Sequence, residues 1–187
     1  PQHYSIGQEI PWQNRALIER KFRKTVACRL DNSGNEIMPL DENSILDHLE
    51  FFKDNNINSV LIAFLFSYRN NAHENRALEL VKEQMPSVFV TTSSSVSPQF
   101  REFERFSTTA INAYLQPEVG KYMENLKKGI SKNEPNLELN IFQSSGGLTT
   151  IERASDFPVR MALSGPAAGV VGASETALNS NFKDIIT

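Results

Sequence analysis

The chain reads as an α/β protein with a mostly parallel sheet and flanking helices. Helix and strand patterns alternate along most of its length, Val60 to Phe66 form a continuous apolar run, and turn residues punctuate the segments between them. A run of that length suits a central strand covered on both faces, which is the setting of a parallel sheet.

Composition narrows the functional classes. With 187 residues the chain is long enough for one large domain or two small lobes, and 40% hydrophobic residues suffice for a sizeable core. A net charge of -3 and a pI of 5.7 argue against a general nucleic-acid surface. The basic run Arg20, Lys21, Arg23, Lys24 has too few aromatics for a stacking platform and reads as a solvated strand edge. No apolar run approaches the ~20 residues that a spanning helix needs, so no membrane partner is expected. Cys28 is the single cysteine and can form no internal disulfide, which points to a reducing compartment, the cytoplasm. The chain starts at Pro1 with neither an initiator Met nor an apolar signal segment, and reads as a piece of something longer.

Residues 1 to 18 mix Pro, Gln, Asn and Trp12 without a steady period and read as a lead-in or linker. From Glu19 to Met38, two extended segments flank the turn-rich Asp31-Asn32-Ser33-Gly34-Asn35, with Cys28 an inert thiol in a strand. Asp41 caps a helix with the stripe Ile45, Leu46, Leu49 and Phe52, ending near Asn55. The Val60 to Phe66 strand follows, with polar Ser67-Tyr68-Arg69-Asn70 at its carboxyl end. Asn71 and Glu74 have capping-box spacing and open a helix that buries Ala77, Leu78, Val81 and Met85 until Pro86 stops it. Val88, Phe89 and Val90 make another strand. Ser97-Pro98 opens a helical stretch whose Phe100, Phe103 and Phe106 are expected in the core. Ser107-Thr108-Thr109 weaken or bend it, and Pro117 ends it or begins the next helix, which carries Val119, Tyr122, Met123, Leu126 and Ile130. Asn133 to Asn136 read as a loop.

Two tight turns carry the functional expectation. Leu137, Leu139 and Ile141 alternate with Glu138 and Asn140 as in a half-buried strand, which sets Ser144, Ser145, Gly146 and Gly147 at a strand's carboxyl end. Ligand crevices of open α/β sheets lie there. Further on, Ser164 and Gly165 stand at an N-cap and Pro166 at the first helical position. In the helix that follows, Gly165, Gly169 and Gly172 fall near one face, each interior glycine costing about 1 kcal/mol relative to alanine. A bound ligand or a closely crossing backbone would account for them, and the expectation is that this face packs against a neighbouring backbone. His73-Glu74 starts like a helical zinc site, but Ala77 stands where the second histidine belongs, so no metal ligands are assigned. There is no GxSxG elbow, P-loop or GxGxxG, and no catalytic residue stands out.

Several motifs in fixed order nevertheless form a pattern: Leu65-Phe66-Ser67-Tyr68, His73-Glu74, Ser97-Pro98, Arg101-Glu102, Glu104-Arg105, Ser107-Thr108-Thr109, Asn112-Ala113-Tyr114, Gln143 to Gly147 and Ser164 to Gly169. Over about residues 19 to 187 this resembles the hydantoinase A, 5-oxoprolinase and acetone carboxylase β-subunit family. The resemblance implies part of an actin-like, ribonuclease H-like ATPase fold and ATP-dependent opening of a cyclic amide. It also implies a hydantoinase B-type subunit or domain as partner, and ATP with a divalent metal such as Mg in the full-length enzyme. A ketone carboxylase subunit, or an actin-like binding module without hydrolysis, are the alternatives. Residues 19 to 105 would then close the N-terminal region and 106 to 187 begin the hydantoinase A region. Ser144, Ser145, Gly146, Gly147, Ser164, Gly165, Pro166 and Gly169 would approach the nucleotide. The family's Asp-Gly-Gly-Thr phosphate motifs do not occur in these residues, so the chain by itself is expected to hold no cofactor.

Overall fold

A computed structural model describes residues 17–134 and 137–186. The lead-in expected over residues 1 to 18 falls outside it but for Leu17 and Ile18, as do Pro135 and Asn136 of the expected loop.

The described chain begins with a 3-10 turn at Arg20–Phe22, not the strand edge expected of the basic run. A short hairpin follows, β1 (Arg29–Leu30) with β2 (Glu36–Met38), closed by Asp31, whose Oδ1 accepts from the amides of Ser33 and Asn35. Cys28 precedes β1, and partial burial raises the pKa of its thiol. Helix α1 (Glu42–Asp54) starts as expected on an Asp41 cap, Oδ1 accepting from Ser44 N at 3.2 Å. Strand β3 (Ser59–Ile62), helix α2 (Ala72–Gln84) and strand β4 (Phe89–Thr92) form a parallel β-α-β unit with Val60 opposite Val90. Its core is Ile45 and Leu49 of α1, Val60 and Ile62 of β3, and Ala77, Leu80, Val81 and Met85 at α2.

Among the described residues the strands form three two-stranded sheets, of which only β3–β4 is parallel. The α/β class therefore stands, without the mostly parallel sheet. Strand β3 also stops four residues short of Phe66. At Phe64 the amide donates to the Glu74 carboxylate and the carbonyl accepts from Arg105, which takes this residue out of any ladder, and Phe66 turns into the left-handed region at φ 59°.

Helix α3 (Ser93–Val96) follows β4 directly, and α4 (Glu102–Asn133) then runs unbroken through Pro117. Proline at 117 supplies no N–H to the Ala113 carbonyl four residues back. The Ser59 hydroxyl takes that place, donating to Ala113 O at 2.6 Å, so the break expected at Pro117 does not occur. The expected aromatic core is also displaced: Phe100 and Phe103 are 64% and 81% exposed. Much of what α4 buries is polar, namely Arg105, Thr109, Asn112 and Gln116, beside the apolar Ala113, Pro117 and Met123.

Beyond α4, β5 (Asn140–Phe142) and β6 (Leu148–Thr150) form a second antiparallel hairpin, followed by α5 (Ile151–Asp156), a 3-10 turn at Pro158–Met161 and α6 (Ser164–Asn179). Met123 of α4 packs on Ile151 and Ala154 of α5 as a second, smaller core. Helix α6 opens two residues earlier than Pro166, after Leu163 in the left-handed region at φ 64°. Pro166 still lies in the first turn, where amides have no intrahelical partner.

Candidate functional site: two turns anchored on one corner

The turn Ser144 to Gly147 sits at the tip of the β5–β6 hairpin, at the carboxyl end of β5 as expected. Gly146 and Gly147 have φ of 85° and 78°, a conformation open to glycine and strained for other residues. Gln143 N donates to Gly147 O and Gly146 N to Gln143 O, which closes the turn on itself. Ser144 faces a neighbour: its amide and its hydroxyl both donate to Arg160 O, at 2.8 and 2.9 Å. Ser145 is exposed.

Arg160 belongs to the 3-10 turn that leads into α6, so both sequence-identified turns hang from one corner. The helix-opening residues Ser164, Gly165, Pro166 and Gly169 follow within a few positions, and α6 lies beside β5. Around Gly165, Gly169 and Gly172 an added Cβ would meet nothing within 4 Å. The expected packing of this glycine face on a neighbouring backbone is therefore absent among the described residues. Helix α6 buries Ala177 instead and leaves Val170, Val171 and Leu178 exposed. Nearby, Lys127 Nζ donates to Glu152 at 2.6 Å and holds that carboxyl down to about 2, helped by a backbone amide and Thr150.

The carboxyl ends of β3 and β4 hold a second cluster that sequence reading missed. Glu74 is fully buried, its Oε1 accepting from Phe64 N at 3.0 Å and Ser93 Oγ at 2.6 Å, its Oε2 from Ser94 N at 2.8 Å. Ser67 Oγ lies 3.1 Å from Ser93 Oγ. This carboxylate therefore does not form the expected capping box; Asn70 Oδ1 accepts from Ala72 N instead. Arg105, also fully buried, donates to Gln99 O and Phe64 O and stands over the rings of Tyr68 and Phe106. A guanidinium from one side and a carboxylate from the other thus grip the same residue, Phe64. The signal lay in position: Glu74 continues the Ala77, Leu78, Val81 stripe of α2 one turn upstream, and a carboxylate on an apolar stripe needs buried donors.

His73 Nε2 meets Glu36 Oε2 at 2.6 Å, a bridge from α2 to the first hairpin. Among the described residues no group of three or more His, Cys, Asp or Glu is gathered for a metal ion. No described helix is long and apolar enough to cross a membrane. The large cleft, about 840 Å³, is apolar and lies elsewhere, between β3, α1 and the start of α4; none of its lining comes from either turn.

The chain is thus an α/β protein in which a glycine turn at a strand end is tied to the corner that leads into a small-residue helix. Comparison with known proteins narrows that class. The hydantoinase/oxoprolinase model matches residues 105–187, and the model of the hydantoinase/oxoprolinase N-terminal region matches residues 1–85. This chain belongs to the hydantoinase/oxoprolinase family. It is 36% identical to the caprolactamase subunit alpha of Pseudomonas jessenii, covering 81% of this chain and 22% of that one. It is 33% identical to the 5-oxoprolinase of Saccharomyces cerevisiae, covering 80% and 12%. The crystal structure of the ATP-dependent caprolactamase from Pseudomonas jessenii superposes with a TM-score of 0.70 at 33% identity, over 78% of this chain and 22% of that one. A nucleotide-free acetone carboxylase shares the fold, with a TM-score of 0.71 at 23% identity, over 84% and 22%. The chain thus spans about a quarter or less of these relatives' length.

Proposed function

We propose that this chain is part of a cytoplasmic, ATP-dependent hydrolase that opens a cyclic amide, with the Ser144 to Gly147 turn and the start of α6 bordering the nucleotide cleft of an actin-like fold. The observation that carries the reading is the likeness, in sequence and in fold together, to a caprolactamase named as ATP-dependent. Lactams and 5-oxoproline share one obstacle: the amide carbon is a poor electrophile. Transfer of the γ-phosphoryl group of ATP to the carbonyl oxygen, with ADP leaving, would make that carbon attackable. Water then adds, the C–N bond breaks as the nitrogen gains a proton, and the acyl phosphate left behind is hydrolysed by a second water to the carboxylate and inorganic phosphate. Transferring phosphoryl oxygens are stabilised by fixed donors. The Ser145 hydroxyl and the backbone of a glycine turn held rigid by Arg160 suit that role.

Among the described residues no group of three or more His, Cys, Asp or Glu is gathered, and a divalent metal such as Mg belongs to the proposal through the family likeness alone. The division at residues 105 and 106 into an N-terminal region and the start of a hydantoinase A region belongs to the same proposal, as does a B-type partner subunit. A ketone carboxylase subunit is the second reading, supported by the shared fold with acetone carboxylase.

The test is ATP turnover by the full-length protein with its partner, screened against lactams, 5-oxoproline, hydantoins and ketones. Turnover stimulated by a cyclic amide and not by ketones is expected. In that assay Ser145→Ala should lower kcat about 100-fold, as loss of one preorganised donor does, with an unchanged melting temperature. Ketone-dependent, bicarbonate-consuming turnover would replace this reading with the carboxylase one.

A further inference from the structure

We infer that Asn112 is a positioning residue for the Ser144 to Gly147 turn: its buried carboxamide carries the location of the parallel strand pair across α4 to the corner from which that turn hangs. The significance of the turn for catalysis rests on the proposed function; its positioning by Asn112 does not.

Asn112 is fully buried in the middle of α4 and uses both ends of its amide. Nδ2 donates to Thr91 Oγ1 of β4 at 3.3 Å and to Asp156 O, at the end of α5, at 3.0 Å. Oδ1 accepts from Val159 N, inside the 3-10 turn, at 3.3 Å. One side chain therefore touches the sheet on one side and both ends of the α5-to-turn corner on the other. Gln116, one helical turn on, adds a second donor to Asp156 O at 3.0 Å. The next residue after Val159 is Arg160, whose carbonyl accepts both bonds from Ser144.

Each link of this path is stiff. The strand end is fixed by its parallel pairing, with Thr91 opposite Leu61. Helix α4 is pinned to β3 by Ser59 on Ala113 O and to the segment just beyond β3 by Arg105 on Phe64 O. The corner is a short 3-10 turn with Pro158 at its first position, which fixes φ there. From Thr91 to Ser144 each step is thus a hydrogen bond or a short backbone segment, and Asn112 supplies the side chain that bonds to elements on both sides. A second, weaker tie runs in parallel: Arg160 Nη2 lies 3.4 Å from Ser95 O and Val96 O of α3. Donor and acceptor complementarity makes the identity of residue 112 specific. Aspartate has the same shape and keeps the acceptor for Val159 N, but its second oxygen would face the carbonyl of Asp156, where a donor is needed.

Asn112→Asp in the full-length protein, followed by hydrogen–deuterium exchange, reads the effect. The amides of 143–148, Ser144 among them, should exchange at least about tenfold faster, while those of β3 keep their wild-type protection. Thr91→Val, which removes the sheet-side partner alone, should show the same local pattern at smaller amplitude and covers the case in which Asn112→Asp folds poorly. With Mg-ATP, kcat should fall about tenfold while KM for ATP stays within about twofold, the split expected when transition-state contacts are misplaced and ground-state binding is kept. Faster exchange at 143–148 with unchanged kcat would uphold the positioning and remove the turn from the proposed nucleotide site. Unchanged exchange at 143–148 in both variants, or an equal rise at β3, would overturn the inference.

Discussion

Glu74 receives three hydrogen-bond donors in a place that water does not reach. Two of the donors are backbone amides, those of Phe64 and Ser94, and neither has another backbone partner among the described residues. Glutamine at this position would keep the shape but turn an NH2 group toward at least one donor. Because hydrogen bonds to a carboxylate are worth about 1.5–3 kcal/mol each and a stranded buried donor costs a similar amount, Glu74→Gln should destabilise the fold by about 2–4 kcal/mol. Urea denaturation monitored by circular dichroism checks this, and a loss under about 0.5 kcal/mol would mean that the cluster is loosely hydrated. At this scale the sequence was least legible. Glu74 and Arg105 look like surface charges until their neighbours on the helix are counted. The partners that justify their burial, Phe64, Ser93 and Gln99, come from segments that periodicity cannot bring together. Glycines at 146 and 147 were easier, since two in succession after a strand leave few alternatives to a tight turn.

Helices α1 and α2 were legible almost to their ends because a cap, a stripe and a stop agree in α1, and a stripe and a stop in α2. Helix α4 was not, because it buries polar Arg105, Thr109, Asn112 and Gln116 among its apolar residues, and the carbonyl that Pro117 leaves without an intrahelical partner is taken by Ser59, 54 positions away. Tertiary context of that kind overrides a local breaker. Helix α6 poses the opposite problem. Three glycines suggested close packing, yet the space beside them is open. Their cost in helix propensity is therefore not offset by any contact among the described residues. Gly172→Ala, in the middle of α6, should stabilise this chain by up to about 1 kcal/mol, with no contact for the new methyl group to disturb. A loss of stability on that substitution would show that something does pack on the glycine face, as the sequence first suggested.

For the whole molecule, the parallel pair β3–β4 is too small a sheet to cover its own apolar surface. Helices α1 and α2 and the long α4 take part of it, and the remainder opens into the apolar cleft of about 840 Å³. Phe103 and Phe106 line that cleft, which is why aromatics expected in the core stand at its edge. The α/β class followed from alternation of patterns; the sheet arrangement did not, since pairing depends on residues far apart in sequence. Among the described residues this cleft stands open beside a two-stranded sheet, in a chain that spans 22% of the caprolactamase subunit and 12% of the 5-oxoprolinase. The 187-residue chain expressed by itself should accordingly melt cooperatively and keep its near-ultraviolet circular dichroism, while binding an apolar fluorescent dye saturably at the cleft. Retained near-ultraviolet signal separates this from a molten globule, which also binds such dyes but loses fixed packing. Phe103→Glu should weaken dye binding without lowering the melting temperature, because the side chain is 81% exposed. The same chain titrated with Mg-ATP should show no saturable binding in the micromolar range, since it lacks any Asp-Gly-Gly-Thr sequence and gathers no metal-binding carboxylates among its described residues. A chain that leaves the dye dark has closed the cleft with its own residues, and one that binds Mg-ATP tightly has a self-sufficient phosphate site at Ser144 to Gly147 or Ser164 to Gly169.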